Sequence, residues 1–227
     1  NLVRMNPYSQ FLSSLAKILH DAKTLPLGGF AMPQHAKPAP DAPRALIFSP
    51  HPDDEVVIGA LPLRLLRELK WNVLDVAVTQ GSSKTRQGER WDELAACCGY
   101  IGFGLVQTAP GGLEGINTPA RAADPAAWSR SVARIAEILA QHQPRAIFFP
   151  HDDDSNATHI GTHHLVVEAL RTLGPRFECL TGETEFWGAM TDPNLMVEIS
   201  AEDLADMIAA TTFHVGEVNR NPYHLLL

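Results

Sequence analysis

The sequence predicts an α/β fold in which a mostly parallel sheet carries helices on both faces, as a three-layer sandwich. Short apolar runs such as residues 45–48 and 146–149 have the length and composition of buried strands. Between such runs lie longer segments with apolar residues at helical spacing, for example Ile58, Leu61 and Leu65. Strands that alternate with helices form parallel β-α-β units with right-handed crossovers.

The predicted elements follow a regular order after an N-terminal extension. A helix over residues 8–24 and an irregular arm rich in Gly, Pro and Ala over 25–43 form this extension, and residues 44–227 form the α/β domain. Pro62 lies inside the first domain helix, so that helix either kinks there or becomes regular from about residue 60. In the domain we expect strands at 44–48, 73–78, 105–108, 146–149, 177–189 and 195–200, helices at 56–70, 88–100, 126–143, 159–173 and 201–213, and a long loop over 110–125.

The composition excludes several classes of partner. Apolar residues make up 45% and charged residues 19% of the chain, as in ordinary globular proteins, and the net charge is −8. Because the sequence has no basic stripe, we expect no nucleic-acid or anionic-membrane partner. No apolar run reaches the roughly 18 residues of a membrane span, and three cysteines do not make a disulfide framework. We therefore expect a cytoplasmic protein that acts on a small molecule, with a homo-oligomer as an open alternative.

The most informative stretch is residues 49–55, Ser-Pro-His-Pro-Asp-Asp-Glu, between a predicted strand and a predicted helix. Open α/β sheets bind their ligands at the carboxyl ends of the strands. Pro52 fixes its own φ and thereby holds the turn. His51 and Asp54 can converge on one point, where an imidazole and a carboxylate suit a zinc-type ion. Asp53, between them, is left as a free carboxylate beside the metal.

A second group of polar residues follows the fourth predicted strand, at the same edge of the sheet. It contains His151, three aspartates at 152–154, Asn156 and His159. Two histidines and one carboxylate drawn from the two loops would leave coordination positions free, as a hydrolytic metal needs for water. His159 and His163 are spaced i, i+4 on a predicted helix, so both could face the metal.

Each of these residues also has a structural interpretation. A carboxylate before the first domain helix could cap its N-terminus, and a run of aspartates could be a solvated loop. A histidine or an arginine could serve packing or ion pairing. We keep this alternative open for Asp53 and Asp54 as caps, for Asp152 and Asp153 as a solvated loop, for His163, His164 and His214 as packing residues, and for Arg90 as an ion-pair partner.

Residues 49–55 resemble the Ala/Ser-His-Pro-Asp-Asp-Glu motif of the PIG-L family, whose members are also called LmbE-like or GlcNAc-PI de-N-acetylase-related proteins. Residues 156–163 stand in the place of the family's second motif, His-Pro-Asp-His followed by a helix, and residues 90–93 resemble its Arg-x-x-Glu segment. Within the second motif only His159 matches, and Asn156 stands where many members have a histidine. The resemblance implies a zinc-dependent N-deacetylase on a Rossmann-like fold.

The resemblance also implies roles for individual residues. His51, Asp54 and His159 would bind Zn²⁺, and Asp53 would be the general base. Asn156 would replace a histidine that helps to stabilise the oxyanion. We assign Arg90, Asp154, which matches an acid before the second motif, and His214 to substrate binding.

The expected reaction removes an N-acetyl group from an N-acetylglucosamine-type sugar or glycoconjugate. Zinc would lower the pKa of its bound water towards about 7, and Asp53 would take the water proton during attack on the amide. Two alternatives stay open. The long 110–125 loop and the Pro-rich arm suit a metallo-amidase that cleaves a larger N-acyl or thiol-conjugate amide. Asn156, a weaker partner for an anion than an imidazolium, suits a metal-binding relative with little catalytic activity.

Overall fold

The structure, a computed structural model, describes residues 6–225. Within this range five strands form one sheet, and α-helices connect and flank them. The strands are β1 (Arg44–Ser49), β2 (Asn72–Ala77), β3 (Gly104–Gln107), β4 (Ala146–Pro150) and β5 (Leu180–Thr184). The helices are α1 (Tyr8–Ala22), α2 (Asp54–Val57), α3 (Ala60–Leu69), α4 (Gln87–Ile101), α5 (Thr118–Ala123), α6 (Pro125–His142), α7 (Ala157–Leu173), α8 (Ala201–Thr211) and α9 (Val215–Arg220).

The sheet is parallel throughout, with the strand order β3-β2-β1-β4-β5. The chain builds the sheet outwards from β1 to β3 and then returns to the other side of β1 with β4. Open α/β sheets bind ligands at such a switch point, outside the carboxyl ends of the strands. The predicted α/β fold with a parallel sheet is therefore confirmed, and the switch point lies between the two strands whose loops carry the His and Asp residues.

Alternate residues of β1 supply two separate cores, one on each face of the sheet. Ala45 and Ile47 pack with α3, α4 and α8 on one face. Leu46 and Phe48 pack with α6 and α7 on the other. All four side chains are fully buried. Burial on both faces explains why this strand is a continuous apolar run, and it fixes the position at which the chain leaves the sheet and enters the 50–55 turn.

The first domain helix is divided into two. This agrees with the second expectation for Pro62, in which the helix becomes regular from about residue 60. α2 ends at Val57, and α3 begins at Ala60 after Gly59. Pro62 stands in the first turn of α3, where a backbone N–H has no intrahelical partner to lose. A Cβ at Gly59 would lie 2.8 Å from the Glu55 carbonyl oxygen, so the break between the two helices depends on the absence of a side chain there.

Three parts of the predicted element order are wrong. Residues 195–200 form no strand, because this segment runs along α3, where Arg64 Nη1 donates to the Glu198 carbonyl at 3.1 Å. An extended segment beside a helix has the same alternation as a strand, so the pattern could not separate the two. The 110–125 loop contains α5, which Asn117 caps by accepting from the Ala120 N–H at 2.9 Å. The other missed helix is α9.

The N-terminal arm packs against the domain. The Gly28 N–H donates to Thr212 Oγ1 at 3.0 Å, and the Phe30 ring centroid lies 5.9 Å from that of Tyr100. α1, which precedes the arm, has no buried residue. The division at residues 43 and 44 stays a prediction. Within residues 6–225, no helix is long and apolar enough to cross a membrane.

A stability prediction concerns Asp75, a fully buried carboxyl in β2. The Ser49 hydroxyl donates to its Oδ1. Burial, reinforced by the nearby Glu55 charge, raises the pKa of Asp75 well above its ordinary value. The folded state therefore binds this proton more tightly than the unfolded state, and stability is lost as pH rises above about 3.9. We expect Asp75→Asn to raise the melting temperature at pH 7, by about 2–4 °C for each kcal/mol gained.

The same variant measured at pH 4 is the control, because there the carboxyl is largely protonated in the folded state and about half protonated in the unfolded state, so the gain shrinks. A melting temperature that falls equally at both pH values would show that the carboxyl is not held neutral at a cost to stability.

Candidate metal and substrate site

The candidate site is a cavity of about 1010 Å³ at the carboxyl ends of β1, β2 and β4. The turn after β1 contributes His51, Asp53 and Asp54 to its lining, and the start of α7 contributes Thr158. The loop after β2, residues 113–117 and the end of α9 form further walls. The loops that the sequence predicted to meet at one edge of the sheet do meet there.

The backbone of the turn separates two adjacent aspartates. Asp53 has φ 115° and ψ −22°, a left-handed conformation that is strained for any residue with a Cβ. Asp54 opens α2, and its Oδ2 accepts a hydrogen bond from the His51 N–H at 2.8 Å. Asp53 occupies the N-cap position of α2, but its side chain makes no capping hydrogen bond. The capping alternative therefore does not account for the Asp53 carboxylate, which lines the cavity.

His51, Asp54 and His159 come together at the switch point. Asp54 Oδ2 lies 3.3 Å from His51 Nδ1 and 3.3 Å from His159 Nε2, and one ligand atom from each residue lies within 4.8 Å of the others. His159 is fully buried, yet neither ring nitrogen has a hydrogen-bond partner within the described part of the chain. Buried imidazole nitrogens without hydrogen-bond partners beside a carboxylate fit a zinc-type cation.

The electrostatics of this triad favour a positive charge at its centre. Burial by itself would raise the pKa of Asp54, but the neighbouring imidazoles of His159 and His51 outweigh it and hold the pKa well below its ordinary value. Burial would lower the pKa of His159, and the carboxylates of Asp54 and Asp154 raise it instead. A proton and a metal cation compete for the same lone pairs, so the donor set suits either.

Asp154 lies behind His159 rather than on the cavity wall. Its Oδ2 is 3.4 Å from His159 Nδ1 and accepts from the Trp187 N–H at 3.1 Å, while its Oδ1 accepts from the Asn156 N–H at 2.7 Å. A carboxylate in this place orients the ring of a ligating histidine. The geometry thus favours a role for Asp154 in aiming His159 over the predicted contact with substrate.

Asp53 and Arg90 lie together on the cavity wall. Arg90 Nη2 is 3.6 Å from Asp53 Oδ1 and donates to the Pro52 carbonyl at 2.7 Å. Burial, reinforced by the Asp54 charge, raises the pKa of Asp53 well above its ordinary value, although His214 and Arg90 act in the opposite direction. Arg90 therefore forms an ion pair, as its structural interpretation predicted. It also lines the cavity, as expected of a substrate-binding residue.

Asn156 begins α7 and lines the cavity. Its Oδ1 accepts from the Thr158 N–H at 2.8 Å, which is the geometry of a helix N-cap. Since the oxygen is used by the cap, the amide NH₂ is the end of the side chain left to donate elsewhere. Asn156 therefore combines a structural task with a donor near the metal triad.

The remaining histidines and aspartates largely have the structural roles, in packing or in a solvated loop, that the sequence analysis kept open for them. His214 is fully buried, its Nε2 lies 2.7 Å from Glu55 Oε1, and it does not line the cavity. A direct contact with substrate would require His214 to leave this pair, so the geometry favours a supporting role. His163 Nδ1 is 3.0 Å from the Pro150 carbonyl, outside the triad, and Asp152 and Asp153 are exposed in the loop.

Several cavity residues were not found from the sequence, among them Glu217, Trp187 and Asn117. Glu217 is 1% exposed and pairs with Arg86 at 2.8 Å, with Arg90 at 3.8 Å and with Arg220. Glu217 and Asn117 belong to no recognised motif, and Trp187 lies in a segment predicted as a strand, so only the folded chain reveals their place on the cavity wall.

Comparison with known proteins identifies the family. The sequence model described as PIG-L: GlcNAc-PI de-N-acetylase matches residues 46–170, which is more than half of the chain. The chain belongs to this family. Its enzymes are of the deacetylase type, and the match covers the triad and Asp53. No curated protein matches the chain.

Solved structures share the fold of this PIG-L family chain. An N,N′-diacetylchitobiose deacetylase from Pyrococcus horikoshii is 18% identical over 91% of this chain and 79% of its own, with a TM-score of 0.59. The zinc-inhibited form of teicoplanin deacetylase Orf2 is 14% identical over 78% and 85%, with a TM-score of 0.58. GalB, a 4-carboxy-2-hydroxymuconate hydratase from Pseudomonas putida KT2440, is 18% identical over 81% and 83%, with a TM-score of 0.60. At such identities the likeness establishes the fold, and a hydratase among these structures means that the fold alone does not define the reaction.

A metal-binding prediction follows from the triad. Asp54→Asn and His159→Gln each replace one candidate ligand, and we expect each to weaken zinc binding by more than the roughly 10–100-fold typical of losing an outer partner of a ligand. Metal content after dialysis and titration calorimetry of the metal-free protein measure this. His163→Gln, on the same helix but outside the triad, is the control and should bind zinc as the unaltered protein does. Equal affinity in all four proteins would mean that the triad does not hold the metal.

Proposed function

We propose that this protein is a zinc-dependent deacetylase that hydrolyses the N-acetyl amide of an N-acetylglucosamine-type sugar or glycoconjugate. The single observation that carries the proposal is the convergence of His51, Asp54 and His159 beside the carboxylate of Asp53 in one polar cavity. Membership of a deacetylase-type family supports it. A cytoplasmic location and a homo-oligomer stay predictions.

Zinc held by the triad would supply Lewis-acid activation of water and of the amide carbonyl. Asp53 then accepts the proton of the attacking water, for which its raised pKa is suited, because a general base works best with a pKa nearer to the operating pH. As the amide C–N bond breaks, Asp53 returns this proton to the leaving nitrogen. The NH₂ of Asn156 donates to the carbonyl oxygen as negative charge develops there. The products are acetate and a free amine.

The lining of the cavity supports a sugar substrate. Hydroxyl and amide side chains are distributed over its walls and can pair with sugar hydroxyl groups. The volume of about 1010 Å³ lies at the upper end of ordinary small-molecule sites, which leaves room for an attached group. The polar lining residues include Thr79, Ser82, Gln87, Asn117 and Thr158.

The size of the cavity also supports the second candidate, a metallo-amidase that cleaves a larger N-acyl or thiol-conjugate amide. One experiment compares the two. Zinc-loaded protein is incubated with N-acetylated sugars and glycoconjugates, and with matched amides that carry longer acyl chains, and the free amine is assayed. Faster release from the N-acetyl compounds supports the deacetylase, and faster release from the longer amides supports the amidase. Bound zinc with no amine released from any compound would overturn both proposals in favour of a binding protein.

The role of Asp53 gives the first prediction on activity. Asp53→Asn preserves size but cannot take a proton, so we expect kcat to fall by roughly 100-fold or more while zinc content stays unchanged. Turnover with saturating substrate and metal analysis of the same preparation measure this. Near-normal turnover would assign proton transfer to another residue.

The role of Asn156 gives the second prediction on activity. We expect Asn156→His to raise turnover, or to add a group with an imidazole pKa to the pH profile, because an imidazolium is a stronger donor to an anion. Asn156→Asp retains an acceptor for the α7 cap but removes the donor, so it should lower kcat on the order of 100-fold with little change in melting temperature. If the His and Asp variants both hydrolyse substrate at the unaltered rate, Asn156 has no part in stabilising the oxyanion.

A further inference from the structure

A second cluster of buried functional groups lies next to the cavity but outside its lining. Glu55, Cys97 and His214 are each fully buried, and one ligand-type atom from each lies within 4.8 Å of the others. His214 Nε2 is 2.7 Å from Glu55 Oε1, and the Cys97 thiol lies beside them. Neither the triad nor the proposed proton transfer uses this cluster.

Hydrogen bonds rather than a second metal account for the cluster. Glu55 is a buried carboxylate, which needs partners for both oxygens. Oε1 has His214 as its partner, and Oε2 accepts from the Asp53 backbone N–H at 2.9 Å. With both oxygens engaged, Glu55 links the buried histidine directly to the backbone of the proposed base.

The backbone that Glu55 holds is the strained backbone of Asp53. Asp53 is in the left-handed region with φ 115°, and such a conformation persists only where the surroundings hold it. Because φ is the rotation about the N–Cα bond, fixing the Asp53 N–H helps to set the direction in which its carboxylate points. The hydrogen bond from the Asp53 N–H to Glu55 therefore restrains the strained φ angle of Asp53, on which the geometry of the turn depends.

Two residues from the C-terminal part of the chain hold this turn from different sides. The His214 N–H donates to the Thr211 carbonyl at 3.1 Å, so its backbone belongs to the end of α8. Glu217, on α9, lies 3.8 Å from Arg90, which in turn donates to the Pro52 carbonyl. Both His214 and Glu217 lie beyond residue 170, where the family match ends.

We propose that His214 is a positioning residue: its hydrogen bond fixes Glu55, and Glu55 fixes Asp53 in the orientation that proton transfer requires. This inference rests on the proposed function, since it takes Asp53 as the general base. His214 acts without touching the substrate, so its loss should lower kcat and leave KM nearly unchanged.

The test compares three variants. His214→Phe keeps a ring but removes the donor, and His214→Gln keeps an N–H donor near the position of Nε2. Thr211→Val alters a buried neighbour of equal exposure whose hydroxyl donates to the Met207 carbonyl rather than to Glu55. A misplacement of about 1 Å at a reacting group can reduce the rate about 100-fold, so we expect His214→Phe to lower kcat by roughly 10–100-fold. His214→Gln should recover most of this loss, and Thr211→Val should show none of it.

A measurement independent of activity accompanies the kinetics. Hydrogen exchange of the Asp53 amide, followed by NMR, should be slow in the unaltered protein and in His214→Gln, and faster in His214→Phe. If His214→Phe does not fold, His214→Asn, whose amide is too short to reach Glu55, takes its place in the comparison with His214→Gln.

The inference is overturned if His214→Phe, or His214→Asn in its place, has the same kcat as Thr211→Val. It is also overturned if the Asp53 amide of that variant exchanges as slowly as in the unaltered protein. Failure of the proposed function gives a different result. In that case the unaltered protein releases no amine from any substrate, while the exchange comparison still reports whether His214 holds the Asp53 backbone.

Discussion

The site depends on one turn in which two neighbouring carboxylates must point in different directions. Asp54 enters α2 and faces His51 and His159, whereas Asp53 adopts φ 115° and faces the cavity and Arg90. A residue held in this region costs about 1–3 kcal/mol. The parallel pairing of β1 with β2 and β4 fixes the start of the turn, so the strain is absorbed at the edge of a rigid sheet.

The same turn gives the two carboxylates opposite electrostatic environments. Two histidines surround Asp54 and keep it ionised despite its burial. Asp53 has the Asp54 charge beside it and is itself withdrawn from water, so its proton is held more tightly. Pairs of acids whose pKa values are driven apart in this way divide their work, one binding charge and the other moving protons. Here the difference in pKa follows from backbone geometry, because the two residues are chemically identical.

The sequence predicted the parts of the site that lie in motifs at strand ends. The apolar runs of β1 and β4 and the polar residues that follow each of them located the triad, Asp53 and the edge of the sheet. The sequence could not predict that Glu217 and Trp187 line the cavity, because these side chains reach it through long-range folding rather than through a local motif. It also could not separate an extended segment beside α3 from a strand at 195–200, since both show the same alternation. For His214 the residue type suggested a functional role, which the sequence analysis took to be substrate binding. Only its pairing with Glu55 in the structure indicates a supporting role instead.

The boundary of the family match helps to separate chemistry from specificity. Residues 46–170 contain the triad and Asp53, whereas Trp187, Glu217 and Arg220 line the cavity from beyond it. Structures with this fold include both deacetylases and a hydratase, so the fold is compatible with more than one reaction. In this chain, residues beyond the family match reach the turn and the cavity separately. His214 pairs with Glu55 of the turn, while Glu217 and Arg220 line the cavity.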